Sequence, residues 1–352
     1  MFGKMKRVSI AGLAQILKVS KTLVSLVMNG RGDAYGISAA TQKRVLAKAK
    51  ELNYRPNLFA KSLRSGKTNV IGLIIPDISN SFYSRITKRI EEEFRKHGFQ
   101  LMTCSSEENP KNEQQLIEML VDEYKVEGII VASAQNSPDQ FNNLSKNGIP
   151  IVLIDRTISK LKADYVGVDN FKGAFQATEH LIKTGRKKIA LLAISPDFLS
   201  TICERKQGYV AALKKNKIKH SARLIIDIPF DNIRQAVEET LKKLIITSNG
   251  IDAILTLNNS ITSCVLDVLH SKGLNIPEDL SLISFDDLEY FSLINPTITA
   301  VAQPLDDIGI HAVEFMMNRL DKKGKQKPPK KNILPVKLII RNSSKSRKKS
   351  GK

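Results

Sequence analysis

Two hydrophobic rhythms divide the chain. Over residues 8–55 the apolar positions recur at helical spacing, and no strand pattern appears. Ser9 is placed to cap a helix running to about Leu17, and Ser20 a second running to about Asn29. Gly30 then stops the chain, and a Gly-rich segment, 30–36, follows. Ser38 or Thr41 opens a third helix with Val45, Ala49 and Leu52 on one face. Pro56 ends it, a one- to two-turn helix follows from Asn57 to Arg64, and 65–69 reads as a link. From Val70 the rhythm changes. Short apolar runs at 70–76, 100–106, 127–133, 150–155, 188–193, 222–227, 252–258 and 280–286 alternate with amphipathic stretches such as 81–97, 171–184, 203–215, 231–246 and 260–272. That alternation predicts βαβ units: parallel, doubly wound sheets with helices on both faces. Ten or more strands exceed one such sheet, so two side-by-side subdomains are expected.

Open sheets of this kind bind ligands beyond the carboxyl ends of their strands. Asp77, Asp155, Asn258 and Asp286 end predicted strands and are the first binding candidates.

Charge sharpens the division. The net charge of +20 is carried by the two ends: residues 1–67 hold 14 Lys/Arg against 2 Asp/Glu, residues 321–352 hold 13 against 1, and 68–320 hold 28 against 32. A basic helical head on a mildly acidic body points to a polyanion partner. Three cysteines without a C-x-x-C fit a reducing cytosol and neither a disulfide framework nor a zinc site. No apolar run reaches 18 residues and the first ten lack a signal-peptide core, so a soluble cytoplasmic protein without a membrane partner is expected. No G-x-G-x-x-G follows the first strand, and the S-G-K-T at 65–68 has Lys61 where a phosphate loop needs glycine. The five histidines form no H-x-x-x-H or triad-like pattern. Neither an enzyme, a cofactor nor a metal is expected.

The head has the pattern of a helix-turn-helix. Leu13, Ala14 and Leu17 face inward from the first helix, Val19 sits in the turn, and Val24 and Val27 face back from the second. Small Ala14 permits close approach of the two. Lys21, Thr22, Ser25 and Asn29 are left facing out toward base edges and phosphates, with the helix N-terminus at Ser20 a further phosphate site.

RVSIAGLAQILKVSKTLVSLVMNG resembles the N-terminus of the lactose-repressor (LacI/GalR) family, whose pattern runs V-T-x-x-D-V-A-x-x-A-G-V-S-x-x-T-V-S-R-V-L-N. Further matches follow in order: ELNYRPNLFAKSLRSGKTNVIGLIIPDISNSFY, IDR, VGVDNFKGAFQATEHLIKTGRKKIA, ERKQGYVAAL, ISFDDLEYFSLINPTITAVAQPLDDIG and LIIRNSS. The resemblance implies an all-α head (1–56), a hinge helix and linker (57–69), a periplasmic-binding-protein-like α/β domain of two subdomains (70–342) and a basic disordered tail (343–352). It adds Ser9, Leu23 and Tyr54 to the DNA-contact set. It also implies that Leu63 wedges between bases in the minor groove, flanked by Asn57, Ala60 and Lys61. Three positions depart from the pattern: Gly12 replaces an acid, Lys18 the turn glycine and Leu26 an arginine. The loop after the second helix is also longer.

In the large domain the resemblance implies an effector site for a small molecule, a sugar or sugar derivative. Arg205 would grip the effector and Asp286 accept its hydroxyls. Asn258 or its neighbour would line the cleft, Phe82 and Tyr83 its lip, Asp155 would end a cleft strand, and Phe230 would be a further aromatic. Read singly, Asp155 and Asp286 equally suit helix caps, Arg205 a surface ion pair and Leu63 a core leucine. The family further implies a homodimer on a near-palindromic double-stranded operator, a repressor found with the nucleoid, and effector control through the angle between subdomains. A heptad tail for tetramer formation is absent; the basic C-terminus is instead a candidate for nonspecific phosphate contacts.

Overall fold

The computed structural model describes residues 8–54, 67–219, 221–246, 250–321 and 327–346. Two compact units result, 1–68 and 69–352, and each is treated by itself.

In the first unit, α1 spans Ile10–Leu17, α2 spans Lys21–Met28 and α3 spans Ala39–Glu51. The expected caps form: Ser9 Oγ accepts from the Gly12 amide and Ser20 Oγ from the Leu23 amide, both at 3.1 Å. Ser38, rather than Thr41, caps α3. Helix α1 ends because Lys18 turns left-handed, at φ 54°, and the Val19 amide reaches back to the Ala14 carbonyl at 3.0 Å. The chain bends by 110° between α1 and α2. Leu13, Ala14, Val24, Val27, Val45 and Ala49 form the buried core of this unit. The long loop after α2 is held down by Gln42, whose Nε2 donates to Asp33 Oδ1 and to the Ile37 carbonyl, both at 2.8 Å. A Cβ on Gly32 would strike the Gln42 amide, which accounts for glycine there.

The second unit is built on two six-stranded sheets. The first contains β1 (Val70–Ile75), β2 (Gln100–Ser105), β3 (Ile129–Val131), β4 (Ile151–Ile154), β5 (Asp164–Val168) and β11 (Lys331–Leu334), in the order β11-β5-β4-β3-β1-β2. The second contains β6 (Ile189–Ile194), β7 (Ile225–Ile228), β8 (Ala253–Thr256), β9 (Ser281–Phe285), β10 (Thr299–Ala302) and β12 (Lys337–Ile339), in the order β12-β10-β9-β8-β6-β7. The helices are α4 (Ser81–Lys96), α5 (Pro110–Glu118), α6 (Asp139–Lys146), α7 (Asn170–Lys183), α8 (Ser200–Lys215), α9 (Ile233–Ile246), α10 (Asn259–Ser271) and α11 (Leu305–Leu320). The inner strands are largely apolar and buried because helices cover both faces, whereas the edge strands β2, β7, β11 and β12 are partly exposed and carry polar residues. The chain changes lobe between β5 and α7, between β10 and α11, and between β11 and β12. Val336, in the last crossing, packs against the cores of both lobes.

Several expectations need correction. Pairing is parallel except for β12, which runs antiparallel to β10. The run 222–227 is not one strand: Ala222–Leu224 forms a 3₁₀ turn and β7 begins at Ile225. β5, β11 and β12 were not foreseen as strands, nor α5 and α6 as helices. Ser343 and Ser344, expected in a disordered tail, are fully buried. Ser343 Oγ donates to the Leu282 carbonyl at 2.6 Å, and Ser344 Oγ bonds Thr299 Oγ1 at 2.7 Å and His180 Nε2 at 2.9 Å. Hydroxyls that satisfy polar groups on the inner strands β9 and β10 are held there despite a hydrophilic sequence.

Candidate functional sites

The face of α2 presents Lys21 and Thr22 to solvent, with Ser20 at its start and Asn29 at its end also exposed. Leu23 and Ser25 are half-buried, and Tyr54 packs against the core of the head. Two candidates are engaged within the helix: Asn29 Nδ2 donates to the Ser25 carbonyl at 2.7 Å and lies 3.4 Å from its hydroxyl. The Ser9 and Ser20 oxygens are occupied as caps. The hinge candidates Asn57, Ala60, Lys61 and Leu63 lie outside the described residues.

In the second unit the predicted effector residues converge on the cleft between the lobes. Phe82, Tyr83, Asp155, Arg205, Asn258 and Asp286 border one space at its deep end, about 20 Å³ in volume and so room for about one water. A wider mouth of about 280 Å³ opens beside it and includes Phe230, Asp77 and Asn258. Phe230 lines the mouth with Tyr83 and Asn258 but does not reach the deep end. Phe82 and Tyr83, expected at the lip, are instead 6% exposed and form part of the wall, their rings edge to face at 4.9 Å.

Fold symmetry delivers the two acids. Asp155 follows β4 and Asp286 follows β9, and each turns left-handed, at φ 61° and 78°. Each amide donates at 3.0 Å to a neighbouring strand, Asp155 to the Val166 carbonyl and Asp286 to the Val301 carbonyl. Two non-glycine residues held at positive φ cost of order 1–3 kcal/mol each and mark a site whose side chains need that aim. Tyr83 Oη donates to Asp155 Oδ2 at 2.9 Å, and Tyr165 Oη donates to the Asp155 carbonyl at 2.9 Å. Burial raises the Tyr83 hydroxyl well above its ordinary pKa, so it stays a donor. Gln303 Nε2 donates to Asp286 Oδ1 at 2.5 Å. Burial raises the Asp286 carboxyl above its ordinary value, and the Arg205 guanidinium opposes that rise.

Arg205 is held rigidly. Its Nε donates to Asn170 Oδ1 at 2.8 Å, one terminal nitrogen donates to the Leu257 carbonyl at 2.7 Å, and its guanidinium lies 3.7 Å over the Phe285 ring. Asn170 is oriented in turn by Glu204, at 3.1 Å. Asn258 serves mainly as the cap of α10, its Oδ1 accepting from the Ser260 and Ile261 amides. Its neighbour Asn259 crosses the cleft instead, donating to Asn80 Oδ1 at 2.9 Å and accepting from Asn80 Nδ2 at 3.1 Å. The Thr157 amide makes a second crossing, to Ser200 Oγ at 2.9 Å. Asp77 closes a turn onto Ser79 at the mouth.

Sequence reasoning missed Asn80, Glu108, Arg156, Asn170 and Gln303, and left open Asn258 or its neighbour, of which Asn259 is the one that crosses. Arg156 stood in a matched motif directly after Asp155, and that adjacency was the available signal. Asn170 and Gln303 also stood in matched motifs, but no spacing tied them to the strand-end acids, because both enter the site from other elements. Carboxylate acceptors, fixed guanidinium donors and an aromatic wall together suit a polyhydroxyl ligand. Among the described residues no group of His, Cys, Asp and Glu is arranged to hold a metal ion.

Residues 68–342 match the family described as periplasmic binding proteins and sugar binding domain of the LacI family, and residues 9–57 match bacterial regulatory proteins of the lacI family. The chain is 32% identical to the HTH-type transcriptional regulator DegA of Bacillus subtilis, covering 96% of this chain and 98% of that one. It is 31% identical to the HTH-type transcriptional regulator PtxS of Pseudomonas aeruginosa, covering 96% of each. Among solved structures, a LacI family transcriptional regulator from Enterococcus faecium with bound ribose superposes with a TM-score of 0.68 at 27% identity, covering 79% of this chain and all of that one.

Proposed function

The chain belongs to the LacI family of bacterial transcription regulators, with a helix-turn-helix head and a sugar-binding-type domain, and from that premise we propose how it works. The head reads a near-palindromic operator as one half of a homodimer. Lys21 and Thr22 reach base edges or phosphates, and Leu63 of each hinge enters the minor groove. The effector is a sugar or sugar derivative bound in the cleft, its hydroxyls directed toward Arg205 and the two carboxylates Asp155 and Asp286. Binding there changes the angle between lobes and so the separation of the two hinges, which alters operator affinity.

The observation that carries this is the meeting of Asp155, Arg205 and Asp286, from three elements and both lobes, at the cleft of a chain that also bears a capped helix-turn-helix. Mobility shift of the chain's own upstream DNA, with and without a panel of sugars, tests it. The expected result is specific retardation that at least one sugar changes. Failure to discriminate that DNA from random duplex would refute operator reading. No predicted role requires an enzymatic step, and no single described helix is long and apolar enough to cross a membrane.

A further inference from the structure

The cleft wall contains a buried ion pair that effector recognition by Arg205 and the two aspartates leaves unexplained. Arg156 and Glu108 are joined by two parallel hydrogen bonds, from Nη1 to Oε2 at 2.7 Å and from Nη2 to Oε1 at 2.6 Å. Both side chains are only 6% exposed, and both border the cleft mouth. The backbone at Glu108 is left-handed. Glu107 and Glu108 are consecutive non-glycine residues in the left-handed region, at φ 55° and 53°. Such residues normally avoid that region, and a pair of them in the short turn between β2 and α5 indicates a side chain aimed for a purpose.

A guanidinium in a water-poor cleft is a strong two-pronged receptor for a carboxylate or phosphate. Glu108 occupies both prongs. Among the described residues bordering the mouth and deep end, the remaining charges are Asp77, Glu107, Asp155 and Asp286 against Arg205. An anionic ligand would meet a surplus of carboxylates and no open guanidinium fork. Arg156 Nε, 3.5 Å from Asp155 Oδ2, is buried and has no hydrogen-bond partner among the described residues.

We propose that Glu108 determines the charge class of the effector: by occupying Arg156 it makes the cleft select an uncharged polyhydroxyl ligand and reject its carboxylated or phosphorylated counterpart. This rests on the sugar reading given above. Removing the Glu108 charge would free the Arg156 fork, and the site would then accept the anion.

Calorimetric titration of the full chain tests it. The probes are neutral aldoses (ribose, xylose, arabinose, glucose and galactose), each paired with its aldonate and its terminal phosphate, plus glucosamine. The wild-type chain should bind at least one neutral aldose ten or more times as tightly as its anionic partners and as glucosamine. In Glu108→Gln the ratio of anionic to neutral affinity should rise at least tenfold, and the double variant Glu108→Gln, Arg156→Gln should reverse that rise. A wild-type chain that prefers an aldonate, a sugar phosphate or the amine overturns the charge selection and leaves the sugar reading standing. That measurement needs no variant to fold. An unchanged ratio in a folded Glu108→Gln chain also overturns it. Binding of none of the probes overturns the sugar reading together with this inference.

Discussion

At the scale of single residues, burying a carboxyl in the cleft costs stability, and Asp286 shows how. Its carboxyl is almost fully buried, and burial outweighs the help of Arg205 and Gln303, so its folded pKa lies above the ordinary carboxylate value. An acid with a raised folded pKa binds more protons in the native state than in the unfolded chain. Stability therefore falls as pH rises from the ordinary carboxylate range through the folded value. Asp286→Asn removes that loss. Denaturant unfolding from pH 3.5 to 7 should show the variant gaining on the wild type as pH rises, while its effector response disappears. A stability difference independent of pH would contradict this. Gly12 offers a second residue-scale test. A Cβ there would meet Val8 and Ser9 at 3.5 and 3.7 Å, ordinary contacts. Gly12→Ala should stabilise α1 by about 1 kcal/mol, seen as slower hydrogen exchange of its amides.

At the scale of elements, close approach of helices decides more than apolar content. α7 and α8 pack together where Gly208 lies against the start of α7: a Cβ at 208 would fall 2.2 Å from the Phe171 carbonyl oxygen, a backbone atom that cannot swing away. Gly208→Ala should therefore cost about 3 kcal/mol or more, near the upper end for overpacking, and thermal denaturation should show it. Because α8 carries Arg205 and α7 begins at Asn170, the same variant should weaken effector binding without touching a ligand atom. The turn between α1 and α2 shows the opposite tolerance. Lys18 takes a position where glycine is conformationally cheaper, and the reading of that position as a left-handed turn is met by its φ of 54°.

At the scale of the whole molecule, separable roles should be separable by experiment. Leu63→Ala should lower operator affinity while sugar binding, read by calorimetry, stays intact; operator affinity within a few tenths of a kcal/mol of wild type would exclude the wedge. Truncation distinguishes anchored chain from tail. Deleting 347–352 should leave the fold intact and make the salt dependence of DNA binding shallower. Deleting 343–352 should also destabilise the second lobe, because Ser343 and Ser344 bond its strands. Equal melting of the two truncations would contradict that role.

Much of this was legible from residues alone. Periodicity and caps placed α1, α2 and α3 to within a residue or two, because Ser9, Ser20 and Ser38 make their bonds within the next three residues. Alternation of apolar runs with amphipathic stretches gave the two-lobed class, and strand ends pointed to Asp155 and Asp286, because a parallel sheet presents its carboxyl ends to the cleft. Local sequence determines what local hydrogen bonds and side-chain periodicity enforce. Long-range pairing determined the rest. The late strands β11 and β12 return to different lobes, and Ser343 and Ser344 are buried against strands far away in sequence. Asn80 meets Asn259 across 179 positions, and Glu108 meets Arg156 across 48. No pattern within either segment encodes such partners. Only the folded chain, by bringing separate loops to one cleft and removing water from between them, decides which charges are left to meet a ligand.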